Sequence, residues 1–562
     1  MNAVKRFVVN LHMRDHLLFW IPFAIVSVPL FYYAFVIISG GWIPHGDEAV
    51  IAIKAHDAWT GHLPLLGMRS TSDVTSPGVW AHHPGPMEFW LIGLPYLLTG
   101  FNPAGLVIGC LLLALGFAGT AIWSGYRAAD RLGVAIMTFT VLGIIAMFGD
   151  SLVLPWNPWP PVLGVLAMLA LGWRIMLDHR GLWPVYVFCA SFVGQSHLSL
   201  LPVAVIVSAV LLGRTVVRWR RSRQRVVRRR ELRWAIGVGV LCWFGPLIDL
   251  ISYSPNNVGE ILRLSSGEDG TAKGRREGFV HLVYMLFPWD QRFRAELRVG
   301  RLGVLMLILT AMILFVAWRK KRARSQFGDG RDLITPAMIP TTVAVLVIWW
   351  AGSKTPGGLR VIYLDFAIAA TILHTVLVLV WVALAALAYA AKRKIQISTK
   401  AVAAVAGLAA VVGLVQMPEA YARIMTQQRY DQDNKQAQLA VDAAMEVMAK
   451  PALAEYPVAV RGFGLVSWLG VAPAIEAALV ADGREVYFDN AWAHREDDHF
   501  RRTANLQGMR VDVVVSERSP GGEWSFESDQ KPVEEVIVDK LDDDGQMRVQ
   551  FFLGESQVEN TK

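Results

Sequence analysis

Charged residues are scarce in this chain of 562 residues. Asp, Glu, Lys and Arg make up 18%, whereas a soluble protein usually carries about a quarter. Hydrophobic residues make up 54% and are concentrated in runs of 17 or more. The roughly ten-residue alternating segments typical of a porin barrel are missing. The composition therefore excludes an ordinary soluble protein and predicts an α-helical protein that crosses the membrane several times.

Cysteine is also rare, with three residues, and all of them lie inside apolar runs (Cys110, Cys189 and Cys242). This placement favours small packing residues and provides neither a disulfide framework nor metal-ligand spacing. No small-x-small cleavage site follows the first apolar run, residues 17–39. We therefore interpret that run as a retained first helix rather than a signal peptide.

Eleven apolar runs are predicted to form helices in the first three quarters of the chain. The stretch 181–213 would be about 50 Å long as one helix, too long for a hydrocarbon core of roughly 30 Å. We expect a hairpin there, with its turn at Gln195 to Ser199. The predicted helices lie near 17–39, 102–125, 132–149, 160–176, 182–195, 199–213, 234–252, 301–318, 335–352, 360–390 and 401–417.

Positive charge is distributed unevenly between the turns that join these helices. Residues before 418 carry 39 basic and 20 acidic side chains, whereas those from 418 onward carry 15 and 26. Arginine and lysine recur in every second turn, including ten arginines between residues 214 and 233. By the positive-inside rule the N-terminus lies in the cytoplasm and the C-terminus outside the cytoplasmic membrane. This topology, with contacts to lipid headgroups, explains the basic clusters better than nucleic-acid binding does.

We predict two domains. Residues 1–417 form an all-α polytopic membrane domain of about 11 transmembrane helices, with a long extracytoplasmic first loop at 40–101. Residues 418–562 begin with a polar helical connector and continue as strands alternating with a helix. That pattern predicts a small extracytoplasmic α/β domain.

Ionisable residues collect in the loops assigned to the outer face, close to helix ends, where they are functional candidates by default. Asp47 could accept a proton from a hydroxyl group. Lys354 and Arg360, in "GSKTPGGLR", could bind a phosphate or pyrophosphate. Each has an alternative, because Asp47 and Glu48 also suit a solvated helix start and Arg360 could contact lipid phosphate.

Histidines in these loops are equally open to two interpretations. His82 and His83 could form an ordinary hydrogen-bonded loop pair, and His197 in its hairpin turn is either structural or functional. Asp73 and Glu88 are interpreted as solvated. The segment 86–99 is apolar but only about fourteen residues long, which suits a helix lying in the membrane interface.

The first outer loop resembles that of integral-membrane glycosyltransferases of the GT-C type, most closely the family 39 group of protein mannosyltransferases and aminoarabinose transferases. An acidic pair follows the first helix, and a proline-containing juxtamembrane helix precedes the second. The later segments "NPWPP", "GQSHLS" and "FGPLIDL" also look like those of bacterial members. The matching residues in the first loop are Asp47, Glu48, Ala52, Ala55, Gly61, Pro64, Pro84, Pro86, Phe89 and Trp90.

The resemblance implies an enzyme that moves a sugar from a polyprenyl-phosphate carrier to an acceptor hydroxyl, on a glycan, lipid or protein, outside the cytoplasmic membrane. It implies that Asp47 is the catalytic base of an inverting reaction, and we expect Glu48 to orient the acceptor or a basic group. We assign Lys354, Arg360 and His197 to the donor phosphate. The candidates for the acceptor or sugar are His82, His83, Asn157 and Gln195.

One departure from the family pattern and two missing motifs bear on this expected function. Family members often have Lys-Pro-Pro before the juxtamembrane helix, where this chain has His83-Pro84-Gly85-Pro86, so a phosphate-binding lysine does not carry over. No ligand spacing demands a metal, and a divalent ion beside Asp47 stays open. No nucleotide-binding glycine loop is present, which fits a lipid-linked donor. The alternatives are a transporter or flippase, and a non-catalytic partner in envelope assembly.

Overall fold

Helices form most of the molecule, and a small sheet follows near the C-terminus. The structure is a computed structural model. It describes the whole chain except residues 1, 71, 73–75, 77, 223–226, 267–271, 290–299, 324, 356–364, 396–397, 418–426, 489–500, 502–505, 507, 542–543 and 556–562.

The membrane region is a bundle of long apolar helices joined by short turns and by two longer loops that carry short helices. The helices of the first half are α1 (Asn2–Ser39), α2 (Asp47–Asp57), α3 (Met87–Leu98), α4 (Ala104–Phe148), α5 (Pro161–Met176), α6 (Trp183–Ser196), α7 (Leu201–Ser222), α8 (Arg229–Cys242) and α9 (Phe244–Ser252). Those of the second half are α10 (Asn257–Ser266), α11 (Gly274–Leu286), α12 (Arg301–Arg322), α13 (Arg331–Lys354), α14 (Ile368–Lys392) and α15 (Thr399–Val415).

Helix α4 is folded back on itself and contains two of the predicted spans. Ala129 and Asp130 leave the helical conformation, and Asp130 has φ +51°. A Cβ atom on Gly125 would lie 2.4 Å from the carbonyl oxygen of Gly133, so the two limbs touch through their backbones. The predicted separation of 102–125 from 132–149 is therefore confirmed.

The predicted hairpin at 195–199 is also confirmed, because α6 ends at Ser196 and α7 begins at Leu201. The predicted span at 234–252 is the pair α8 and α9, bent by 59°. Among the described residues, six helices are long and apolar enough to cross a membrane, or seven if the bent pair counts as one span. α5 and α15 are apolar but shorter. The predicted start at residue 360 lies outside the described residues, and α14 begins at Ile368.

The C-terminal region combines one sheet with two helices, as predicted. Its helices are α16 (Gln427–Met448), the polar connector, and α17 (Ala472–Ala481), preceded by a π-helical turn at Ser467–Val471. The strand order is β2-β1-β3-β5-β4, with β1 parallel to β2 and β3, and β5 antiparallel to β3 and β4. The strands are β1 (Val458–Phe463), β2 (Val486–Phe488), β3 (Arg510–Arg518), β4 (Glu534–Asp539) and β5 (Gln546–Gly554).

The core of the membrane region lies around α5, whose residues are almost all buried because α4, α6, α13 and α14 pack around it. Helix α2 lies against α3 so closely that a Cβ atom on Gly93 would be 2.5 Å from the Ala55 carbonyl oxygen. The opposite side of α2 packs against α17 of the C-terminal region. The acidic pair thus lies where the helical bundle meets the C-terminal region.

Candidate active site

Asp47 and Glu48 form the first turn of α2. Gly46 precedes them with φ +56°, a conformation that glycine adopts without steric cost. Glu48 is buried, and its carboxylate lies 3.9 Å from Nδ1 of His45. Both acids line a cavity of about 330 Å³ together with residues of the C-terminal region. They differ in exposure, because Asp47 is exposed at the cavity wall and Glu48 is buried.

The carboxylate of Asp47 accepts a hydrogen bond of 2.9 Å from the indole nitrogen of Trp156. The Asp47 side chain is exposed at the wall of this cavity. Desolvation by the protein packed around it still raises the pKa of Asp47, and the Trp156 hydrogen bond opposes that shift only in part. A carboxylate with a raised pKa, held by one donor and open to a cavity, is suited to act as a general base.

Aromatic rings connect this carboxylate to the histidines of the other loops. Trp156 contacts Phe366 edge to face, with ring centroids 5.8 Å apart, and Phe366 contacts His197 at 5.4 Å. The ring of His197 lies 4.4 Å from that of His83. The structure thus brings two of the predicted histidines into one group with Asp47.

Burial keeps both of these histidines neutral. It lowers the pKa of His197 to about 3. The pKa of His83 is well below its usual range because of burial and the neighbouring imidazoles of His197 and His82. Nδ1 of His83 accepts a hydrogen bond of 3.0 Å from the backbone N–H of Leu198. A neutral His197 would bind a phosphate by donating a hydrogen bond rather than by its charge.

The backbone of His82 is held by Asn257, the first residue of α10. Its N–H donates to the Asn257 side-chain oxygen at 2.8 Å, and its carbonyl accepts from the Asn257 amide nitrogen at 3.2 Å. Asp249 in turn accepts a 2.8 Å hydrogen bond from the backbone N–H of Asn257. These contacts fix the segment that carries His82 and His83.

Asn157 and Gln195 are buried and connect neighbouring loops. The Asn157 amide donates to the Ser196 carbonyl at 2.9 Å, and the Gln195 amide donates to the Cys242 carbonyl at 2.7 Å. Oε1 of Gln195 has no hydrogen-bond partner among the described residues. Gly85 passes so close that a Cβ atom there would lie 2.1 Å from this oxygen. Binding of sugar or acceptor by these two amides stays a prediction.

Lys354 is exposed at the end of α13 and makes no ion pair among the described residues. Its neighbour Ser353 contacts Gly278 of α11, and one turn further along α11 His281 pairs with Asp365 at 3.0 Å. Asp365 directly precedes Phe366, whose ring contacts Trp156 and His197. Helix α11 therefore contacts both the end of α13 that carries Lys354 and the residue before Phe366. Arg360 lies outside the described residues.

The interpretation of Glu88 as solvated is wrong. Glu88 is 3% exposed on α3, and neither carboxyl oxygen has a hydrogen-bond partner among the described residues. Burial raises its pKa well above the usual range, which favours the neutral carboxylic acid. A single acidic residue in an apolar helix gave no sign of which neighbours would cover it. Asp73 lies outside the described residues.

The functional prediction missed Trp156, Phe366 and the His281–Asp365 pair. Trp156 stands in the proline-rich loop directly before Asn157, and the pair of tryptophans in that loop was the signal that could have marked it as a site residue. Phe366, His281 and Asp365 belong to no recognisable motif. Among the described residues, no cluster of three or more His, Cys, Asp or Glu side chains could hold a metal ion. We therefore derive no step through a metal.

Comparisons with known proteins give structural matches only. The structure is similar to the crystal structure of ArnT from Cupriavidus metallidurans bound to undecaprenyl phosphate, with a TM-score of 0.48 and 13% sequence identity over 94% of this chain and 97% of that chain. It is also similar to ArnT in the apo state, with a TM-score of 0.46 and 15% identity over 92% and 94% of the two chains. No protein-family model and no curated protein sequence matches the chain.

Proposed function

We propose that this protein is an integral-membrane glycosyltransferase that moves a sugar from a polyprenyl-phosphate donor to an acceptor hydroxyl at the outer surface of the cytoplasmic membrane. The observation that carries the proposal is the Asp47 carboxylate, held by Trp156 at the wall of a cavity beside the ends of the membrane helices. Trp156 and Trp159 line the same cavity, and flat aromatic rings suit the apolar faces of sugars.

In this reaction Asp47 removes the proton from the acceptor hydroxyl, and the hydroxyl oxygen attacks the anomeric carbon with inversion. The bond between that carbon and the phosphate oxygen breaks, and its electron pair leaves with polyprenyl phosphate. The raised pKa of Asp47 makes it a stronger base than an ordinary aspartate. Glu48 is buried beside His45 and orients the turn that carries Asp47.

The leaving phosphate gains negative charge, so hydrogen-bond donors and cations placed near it accelerate the reaction. Lys354 is exposed and makes no ion pair among the described residues, and α11 contacts both its end of α13 and Asp365 beside Phe366, so we assign the phosphate-binding cation to Lys354. His197 contributes a hydrogen bond from its neutral ring. The role of Arg360 in binding the phosphate is predicted from the sequence alone.

A lipid donor also needs an apolar path for its chain. A groove of about 470 Å³ lies between α6, α7 and α8, and nearly all of its lining is apolar. Gly194 and Trp243 form one end of the groove, next to Gln195 and Cys242, which are joined by a hydrogen bond. The groove therefore begins beside the histidine group and suits an isoprenoid chain whose phosphate lies at that group.

The test uses the purified protein in lipid nanodiscs with polyprenyl-phosphate pentoses and hexoses, and measures sugar transfer and release of polyprenyl phosphate. Asp47→Asn keeps the size and a hydrogen-bond acceptor but removes the base, so we expect turnover to fall by at least about a hundredfold. Asp433→Asn is the matched control, because Asp433 is another acidic residue that lines the same cavity and belongs to the C-terminal region rather than to the first turn of α2. Equal turnover of Asp47→Asn and the wild type would overturn the assignment.

A further inference from the structure

The C-terminal region is tied to the loop that leads into the acidic pair. The N–H of Ile43 donates to the Asn434 side-chain oxygen at 3.0 Å, and the N–H of Gly46 donates to the carbonyl oxygen of Gly470 at 3.1 Å. The Gln438 amide also donates to the carbonyl of Gly41. All three bonds involve residues of the segment 41–46, directly before Asp47, so the position of the turn that presents Asp47 depends on the C-terminal region.

A buried ion pair ties the other end of α2 to the same region. Arg501 donates through Nε to Asp57 at 2.8 Å and through Nη2 to the second carboxylate oxygen, while its Nη1 donates to the Val486 carbonyl at 3.1 Å. Burial alone would raise the pKa of Asp57, but hydrogen bonds from Arg501 and His56 outweigh it and lower the pKa. Two parallel bonds to one carboxylate fix the orientation of α2 as well as its distance.

The C-terminal region also forms one wall of the Asp47 cavity. The wall consists of the π-helical turn and the residues before it, including Leu465, Val466 and Leu469. Leu465 is 69% exposed and Leu469 39% exposed, although both are large apolar residues. A Cβ atom on Gly46 would lie 3.2 Å from the Leu469 carbonyl oxygen, so the wall approaches the acidic turn as closely as a glycine permits.

We infer that this wall binds the acceptor and that Arg501 is a positioning residue for Asp47. Leu465 and Leu469 contact apolar surface next to the attacking hydroxyl, and the Asp57–Arg501 pair holds α2 so that Asp47 meets that hydroxyl. The inference rests on the proposed function and deepens it. It assigns acceptor recognition to the C-terminal region and donor recognition to the membrane helices.

The experiment separates the two substrates. An envelope extract of the producing organism is divided into an organic phase and an aqueous phase, and the phase that supports transfer by the wild-type protein serves as acceptor. Apparent KM is then measured for that phase and, separately, for the polyprenyl-phosphate sugar. We expect Leu465→Ala and Leu469→Ala to raise the acceptor KM about tenfold, the scale of one lost aliphatic contact, and to leave the donor KM unchanged.

Ile537→Ala is the matched control, because Ile537 on the edge strand β4 is an aliphatic residue whose exposure lies between those of the two leucines, and it does not line the Asp47 cavity. Both leucines are exposed, so their removal costs little stability and the test does not depend on a fragile variant. Unchanged acceptor KM, or an equal rise in both KM values, would overturn the inference. Absence of transfer by the wild type with either phase would instead refute the proposed function itself.

The role of Arg501 as a positioning residue is tested by measuring KM and kcat separately. A misplacement of about 1 Å can cost on the order of a hundredfold in rate, so Arg501→Gln should lower kcat while donor KM stays the same, and Arg501→Lys should restore part of kcat. Arg484→Gln is the control, since Arg484 donates to the Met448 and Ala454 carbonyls within the C-terminal region. If Arg484→Gln and Arg501→Gln lower kcat equally, Arg501 is merely structural.

Discussion

Replacing Trp156 by phenylalanine should move the pH dependence of the reaction. The substitution removes the only indole N–H that donates to Asp47 among the described residues and retains an aromatic ring against Phe366. A hydrogen bond to a charged group stabilises it by about 1.5–3 kcal/mol, and one pKa unit corresponds to about 1.4 kcal/mol. Because Asp47 is open to the cavity, solvent reduces the effect and the lower value applies, about one unit.

The sign follows from the charge of the base. Asp47 acts when it is deprotonated, and the hydrogen bond from Trp156 favours that form, so losing it raises the pKa of Asp47 further. Activity is lost as the pH falls through this pKa. The acidic limb of the pH–rate profile should therefore move to higher pH by about one unit. At a pH on that limb the transfer rate should fall about tenfold, and at high pH it should not change.

The assay is single-turnover transfer from a polyprenyl-phosphate sugar in nanodiscs, measured across the acidic and neutral range. Trp159→Phe is the matched control, because Trp159 lines the same cavity and its indole nitrogen has no hydrogen-bond partner among the described residues. That variant should keep the wild-type limb. Identical limbs for Trp156→Phe and the wild type would refute the role given to the Trp156–Asp47 hydrogen bond.

Three further substitutions test the loops around the site. Gly85→Ala should lower turnover by about a hundredfold, because the added methyl group displaces Gln195 and a small displacement of a residue near the reacting atoms can slow the reaction to that extent. The measurement is the transfer rate of a variant whose helix content is unchanged. Asn257→Ala should destabilise the folded protein by about 1–3 kcal/mol, because the buried backbone N–H and carbonyl of His82 lose the Asn257 side chain as partner. Thermal unfolding measures this loss of stability. Lys354→Ala should raise the donor KM about tenfold, the scale of one lost charged hydrogen bond.

Each of these variants has a counterpart that isolates its cause. Gly116→Ala adds a methyl group where nothing lies within 4 Å, so it should be silent. Asn256→Ala removes the neighbouring amide, whose contacts are with Leu250 and Gly259 rather than with His82. Lys354→Arg keeps the cation. A Gly85→Ala enzyme of normal rate, an Asn257→Ala protein of normal stability or a Lys354→Ala enzyme of normal donor KM would each contradict the corresponding assignment.

Most of the fold could be predicted because apolar runs and turn residues are local signals. The kink of α4 lies between two runs separated by polar residues, and the turn at 195–199 interrupts an apolar stretch that is too long for one span. The strands of the C-terminal region could be predicted from local signals as well. The kink, the turn and the strands each depend on residues within about twenty positions of one another, which is the range over which hydrophobic periodicity carries information.

The site could be predicted only in part, because its decisive contacts join distant segments. The Asp47–Trp156 hydrogen bond spans 109 positions and the Asp57–Arg501 pair spans 444. Asp47 was predicted because it matches the resemblance in the first loop, and His83 because it stands where family members often have Lys-Pro-Pro. Arg501 and Leu469 belong to no motif, and the burial of Glu88 depends on how the first loop packs against the bundle, so no local pattern revealed them.

The most direct measurement of the central claim is mass spectrometry of the envelope from cells that lack this protein and are complemented with either the wild type or Asp47→Asn. We expect a sugar-modified molecule in the envelope of cells that carry the wild-type protein. With Asp47→Asn that molecule should be missing and the polyprenyl-phosphate sugar should accumulate, although the variant protein is present in the membrane at the wild-type level. The same modified molecule at the same abundance in both strains would contradict the claim that Asp47 is the base of a polyprenyl-linked sugar transfer.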